Sequence, residues 1–304
     1  MSASWLFFAF SGPVLWAIST HLDKYLVERY FKRVHPAVLL VFTGVTNLVA
    51  LPFIVALRPG VLDLGIDAIA LMMLSGVLLM GAALFYLQAL QSEEASVVAP
   101  FFQAAPLFGF ALGYAVLGER LSGLQLLGAA LTIAGAAIAA TRSGSFGRSF
   151  NARLVMLMLA CAFTVALSSL IFKMFTLRDE FWTTTFWLFI GEAAFGGAVL
   201  AVGSFRRQFI SILRTNTAAV VGINGANEVI NLVGGLGTRY ALLLAPLSLV
   251  QAIGSTTTVF VFLFGIALSL FVPTLGREDL SRSELLRKGA AAVLVALGVA
   301  LISR

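Results

Sequence analysis

Sixty per cent of the 304 residues are apolar, 11% are charged, and the mean hydropathy is +1.00. A soluble fold of that length needs far more charge to cover its surface, so the composition excludes a water-soluble globular domain and describes an integral membrane protein made of spanning helices. The net charge of +6 is no nucleic-acid signature, because the basic residues sit in short loops between apolar spans; the partners expected for them are anionic lipid head groups.

In chain order, apolar spans fall at 4–22, 37–57, 66–90, 95–117, 124–140, 154–175, 181–203, 217–237, 242–272 and 289–302, which predicts ten transmembrane helices. No strand periodicity occurs, so a membrane barrel is excluded. The fifth and tenth spans are short for a hydrocarbon core of about 30 Å and are expected to stand upright. The stretch 242–272 is long and is read as one tilted helix. No basic region precedes the first apolar run, so a cleaved signal peptide is not expected. Cys161 is the single cysteine and lies inside a span, so no disulfide forms within the chain.

A basic linker, Ser143-Gly144-Ser145-Phe146-Gly147-Arg148-Ser149, marks the midpoint. Ser19-Thr20 with Lys24 reappears 149 residues later as Ser168-Ser169 with Lys173. Ala99-Pro100 returns 146 residues on as Ala245-Pro246, and Phe42 with Gly44 returns 147 residues on as Phe189 with Gly191. Near-constant offsets of this kind imply an internal duplication: a first repeat over 1–142, a linker over 143–152 and a second repeat over 153–304. Each repeat holds five spans, and five is odd, so the second enters the membrane inverted. Most Lys and Arg follow spans one, five, seven and nine, which by the positive-inside rule places both termini outside the cytoplasm.

Ionisable and amide groups inside a span are costly unless they face a cavity or a partner. Asn224, Asn227, Glu228 and Asn231 sit at helical spacing in the eighth span, on one arc of about 100° if the rise is regular. Glu228 is read as a proton or cation site with the asparagines orienting it or the substrate; the bland alternative is a hydrogen-bonded ladder between helices. Glu192 is read as a relay partner, as the counter-charge of Lys173, or as a solvated span end. Lys24 and Lys173, related by the repeat, either bind an anionic group from both halves, neutralise Glu192 and Glu228, or snorkel to the head groups. Tyr86, Gln103 and Gln251 add polar groups to spans three, four and nine, and Trp16, Trp182 and Trp187 are the aromatics expected to line a cavity. Gly109-x3-Gly113 is a small-residue helix-packing motif.

One stretch carries a family resemblance. Glu94-Ala95-Ser96 opens a span holding Pro100, Gln103 and Pro106, which stops at Leu117-Gly118-Glu119-Arg120; a second span follows with Gln125, Gly128 and Gly135. This reads as a helical hairpin whose charged tip reaches water. The pattern resembles the EamA family of the drug/metabolite transporter superfamily, with a looser echo from Ala245-Pro246 to Gly298. The resemblance implies a secondary transporter of a small organic metabolite working by alternating access, with both termini in the cytoplasm, against the loop charges; with Glu228 read as a coupling site, the expectation is proton coupling, no cofactor and a bacterial inner membrane. Relatives that move lipids or lipid-linked sugars keep a flippase open as an alternative, as does a non-transporting helper subunit. In the second copy the tip becomes Leu275-Gly276-Arg277-Glu278 with a charged stretch running through Lys288, which departs from the pattern. Enzymes are disfavoured: two histidines, no H-E-x-x-H, no phosphate-binding glycine loop and no metal-ligand cluster leave catalysis little to stand on.

Overall fold

The computed structural model describes residues 4–31, 34–92, 101, 104–140, 152–178, 180–215, 217–271 and 281–302. Among these residues every regular element is helical: α1 (Ser4–Arg29), α2 (Pro36–Leu57), α3 (Ile66–Ser92), α4 (Ala105–Leu117), α5 (Gly123–Ala140), α6 (Ala152–Thr176), α7 (Phe181–Ala201), α8 (Gly203–Thr215), α9 (Gly225–Leu244), α10 (Leu247–Gly254), α11 (Thr257–Phe271) and α12 (Arg282–Ile302). A short 3₁₀ turn, Pro59–Leu62, follows α2, and a π turn, Val220–Asn224, leads into α9. Among the described residues six helical stretches are long and apolar enough to cross a membrane: Ser4–Asp23, Pro36–Leu57, Ile66–Ala89, Ala152–Thr176, Phe181–Ala201 and Leu247–Leu268. Two more, Ala105–Leu117 and Gly123–Ile138, are apolar but shorter.

Two boundaries differ from expectation. The stretch read as one tilted helix is two, α10 and α11, broken at Ser255 and Thr256. The cause is local. Thr256 and Thr257 hydroxyls donate back to the Ile253 and Gly254 carbonyls, each at 2.7 Å, drawing the backbone off its axis. Pro246 sets the other limit, because it has no N–H to continue α9 and pushes Ala245 into an extended conformation. The second difference is α8, whose residues the sequence reading left as a loop. Its apolar Phe205, Phe209 and Ile212 share one side, while Arg206, Arg207 and Arg214 are exposed. Phe205 stacks on His35, Phe209 packs at a tilt against Phe42, and the Gln208 side-chain oxygen accepts from the His35 backbone N–H at 2.9 Å.

The strongest helix pairings are α5 with α12, α1 with α9, α3 with α6, α2 with α7 and α3 with α7, followed by α1 with α11, α4 with α6 and α4 with α10. Each joins the first half of the chain to the second. Lipid supplies no hydrophobic drive for helix association, so small residues that allow close backbone approach do the packing. Gly76 meets the Leu188 carbonyl and the Glu192 amide across α3 and α7, and Gly128 meets Gly298 across α5 and α12; a Cβ at any of these three glycines has no room. At the α3–α6 crossing Ser75 and Ser168 exchange hydroxyl-to-carbonyl hydrogen bonds of 2.9 and 2.8 Å. The apolar core centres on Trp5, Phe172, Phe189, Leu247, Leu249 and Ile253.

Candidate functional site

A cavity of about 280 Å³ opens between α1, α2, α3, α6, α7 and α9, lined by Trp16, Thr43, Asn47, Tyr86, Cys161, Glu192, Glu228, Asn231 and Arg239 together with apolar residues such as Leu79 and Met80. Both halves contribute to its wall. The two carboxylates in it are held very differently. Glu192 is buried, and both its oxygens are taken: Arg239 Nη2 reaches Oε1 at 3.0 Å and Asn47 Nδ2 donates to Oε2. The same guanidinium lies over the Phe189 ring at 5.3 Å, a cation–π contact that fixes it further. Glu192 is therefore a compensated charge. Glu228 accepts from the Thr43 hydroxyl at 3.2 Å, and no ion pair to it is present among the described residues. A buried carboxylate with only a hydroxyl for company is the group in this cavity with most to gain from a proton or a cation.

The asparagine face of α9 is split. Glu228 and Asn231 turn into the cavity, whereas Asn227 Nδ2 donates to Asp23 Oδ1 on α1 at 2.6 Å. Asn224, the last residue of the π turn, is buried with its Nδ2 unpartnered. The wide turn is what defeats the regular 100° arc. Asp23 and Arg239 are functional candidates that sequence reasoning missed. Asp23 was hidden because it sits next to Lys24 near a span end, and Arg239 because it falls between the apolar runs 217–237 and 242–272.

Residues 3–141 match the model of the EamA-like transporter family. The match covers somewhat less than half of the chain, and over that segment the sequence is similar to EamA-like transporters. The family belongs to the drug/metabolite transporter superfamily, whose members are membrane transporters rather than enzymes. No curated protein matches the chain. Among solved structures, a crystal structure of a protein 17% identical in sequence aligns over 99% of this chain and 96% of its own length with a TM-score of 0.66, a likeness of fold.

The EamA segment carries the turn at Leu117-Gly118-Glu119-Arg120, and its tip does not simply reach water. Gly118 adopts the left-handed conformation (φ 65°) that closes α4, which only glycine takes at low cost, and this turns the next residue inward. Glu119 then accepts from the Leu247 N–H at 2.9 and 3.1 Å, at the first turn of α10, while Arg120 is exposed. Lys173 Nζ lies 2.6 Å from Glu119 and donates to the Ala245 carbonyl at 2.5 Å. Lys173 thus pairs with Glu119, and not with Glu192 or Glu228 as its repeat position suggested; Glu192 belongs to Arg239 instead. Gly109 and Gly113 of the EamA hairpin pack against the side chains of Gln251 and Glu119 rather than against a helix backbone.

Other expected cavity residues lie elsewhere. Trp187 Nε1 donates to the Val61 carbonyl at 2.8 Å, and Trp182 packs on Phe181 in the core, so of the three tryptophans Trp16 alone lines the cavity. Gln251 sits at the α4–α10 crossing with both polar side-chain atoms unpartnered. Tyr86 does line the cavity. Gln103 and the Lys24 side chain lie outside the described residues, as do the midpoint linker, Pro100 and the stretch Leu275–Glu278.

Proposed function

We propose that the protein is a secondary transporter that moves a small organic metabolite across the membrane by alternating access, coupled to protons at Glu228. The observation that carries this is the cavity itself: it lies between the two halves, holds one compensated and one uncompensated carboxylate, and combines them with Asn231, Tyr86 and Trp16. Such a lining suits a solute with polar groups on an apolar body.

The helix pairings support the ten-span, inverted-repeat reading. Apart from α3–α7, whose counterpart α9–α2 is weak, exchanging each span of one half for its counterpart in the other turns the α1–α9 pair into α6–α3 and the α1–α11 pair into α6–α4, and returns α2–α7, α4–α10 and α5–α12 to themselves. A two-fold axis in the membrane plane has that property, and a midplane site at the repeat interface is the usual plan of secondary transporters. The tenfold count then takes α9 and α12 as spans beside the six long apolar helices and the two shorter ones, with α10 and α11 as one broken span. Basic loops at the α8 end face the cytoplasm on this reading, in an inner or plasma membrane.

Glu228→Gln keeps the shape of the side chain and removes its titration. Reconstituted in proteoliposomes and driven by a pH gradient, the variant loses uphill flux of a substrate found by thermal-shift screening, while counterflow exchange of that substrate persists. Uphill flux at the wild-type rate removes Glu228 from the coupling role.

A further inference from the structure

The α1–α9 crossing carries a second polar cluster beside the cavity. Asp23 Oδ1 accepts from Asn227 Nδ2 at 2.6 Å, and its Oδ2 lies 3.4 Å from the Ser19 hydroxyl, one helical turn earlier on α1. Ser19 and Asn227 are buried, at 2% and 1% exposure, and both hydrogen bonds to Asp23 are partly buried. No ion pair to Asp23 is present among the described residues. Asn227 Oδ1 is buried and unpartnered, although its own amide nitrogen is in contact with the carboxylate. That oxygen is two bonds from a nitrogen 2.6 Å from Asp23, which puts it within reach of an ion bound to the carboxylate. A buried amide oxygen left bare is costly, and a cation would satisfy it together with the carboxylate and the hydroxyl. The π turn Val220–Asn224 packs on α1 beside this cluster, and irregular backbone at membrane depth supplies further carbonyl oxygens of the kind that transporters use to hold small cations.

We propose that Ser19, Asp23 and Asn227 form a binding site for an alkali-metal cation, bridging the two halves of the chain at the α1–α9 crossing. The donors are all oxygens, as a hard cation requires, and they carry one negative charge. A monovalent ion makes the site neutral; a divalent ion would leave an excess positive charge in a medium of low dielectric, and such ions are usually held by more than one carboxylate. Glu228, one residue along α9, points to Thr43 and the cavity, so the cation site and the candidate coupling carboxylate lie on neighbouring residues of one helix. The inference deepens the transporter reading by giving the cavity an ion-binding neighbour, and it stands on binding alone.

The full chain, purified in detergent, is melted in sodium or potassium chloride and in choline chloride at equal ionic strength, and titrated with ²²Na⁺ in a scintillation-proximity assay. At least one alkali metal raises the melting temperature by about 2 °C or more over choline, and ²²Na⁺ or its displacement by potassium reports one saturable site per chain. Asp23→Asn and Asn227→Ala abolish both signals; Ser19→Ala, the mildest change, weakens the apparent affinity about threefold to tenfold. Ser204→Ala, on the exposed face of α8, leaves both unchanged. Glu228→Gln keeps the cation signal while losing uphill flux, so the two readings fail separately. No difference between alkali metal and choline in the wild-type chain, or a signal that survives in both Asp23→Asn and Ser19→Ala, overturns the site.

Discussion

Truncation at the Lys173–Glu119 pair tests the architecture most directly. The two side chains are 8% and 12% exposed and 2.6 Å apart, so at an effective dielectric of about 20 their direct attraction is about 6 kcal/mol. Desolvation of both groups offsets much of that, and removing one partner of such a buried pair ordinarily costs about 3–5 kcal/mol because the other charge is stranded. Here the partners are not equivalent. Lys173→Met leaves Glu119 with the Leu247 N–H and the positive end of α10, both of which favour a carboxylate. Glu119→Ala leaves Lys173 only the Ala245 carbonyl and also uncaps α10. Glu119→Ala is therefore the more destabilising by about 1 kcal/mol, the usual worth of a lost cap. The double variant recovers about 2–3 kcal/mol relative to the sum of the two, since no stranded charge remains. Equilibrium unfolding in mixed micelles, read by tryptophan fluorescence, measures all four chains. Single variants within 0.5 kcal/mol of wild type, or strictly additive effects, refute the pairing (about the scatter expected of independent sites).

Further outcomes follow from the same geometry. Arg239→Met strands Glu192 in the cavity wall and lowers stability by about 3–5 kcal/mol, and Arg239→Met with Glu192→Gln restores most of it in the same unfolding assay. Gly76→Ala drives a methyl group into the α7 backbone and costs about 1–3 kcal/mol, whereas Gly81→Ala, with open space around it, is neutral or slightly stabilising; equal melting temperatures for the two would falsify the close α3–α7 crossing. Trp187→Phe loses one hydrogen bond to Val61 and costs about 0.5–1.5 kcal/mol without changing substrate affinity in a thermal-shift titration, because the indole does not line the cavity.

Much of the helical layout was legible because hydrophobic span length is a strong signal: the spans at 37–57, 66–90, 154–175 and 181–203 agree with α2, α3, α6 and α7 to within a few residues at their ends. The break at Ser255–Thr256 was not, since hydroxyl side chains that bend a helix cost nothing on a hydropathy scale. Helix α8 had a readable sign in Phe205, Phe209 and Ile212 spaced four and three apart among arginines, but its mean hydropathy hid it from a search for spans. Within the candidate site, Glu228, Glu192, Asn231 and Tyr86 were found by the rarity of polar groups in apolar runs, and the structure brings all four to one cavity. Partner choice was beyond reach. Which carboxylate takes Lys173 depends on the left-handed turn at Gly118, and which amide faces Asp23 depends on a π turn; neither leaves a periodic mark in the sequence.

The two ends of the bundle are fastened by different physics. At one, charges join the halves: Arg58 to Glu180 at 3.0 Å and Lys173 to Glu119. At the other, α8 is glued to the first half by rings, through His35, Phe42, Phe205 and Phe209. Apolar adhesion weakens on cooling, while buried ion pairs lose part of their dehydration penalty on warming. Temperature therefore acts unequally on the two ends: chilling weakens the ring-sealed end relative to the charge-fastened one.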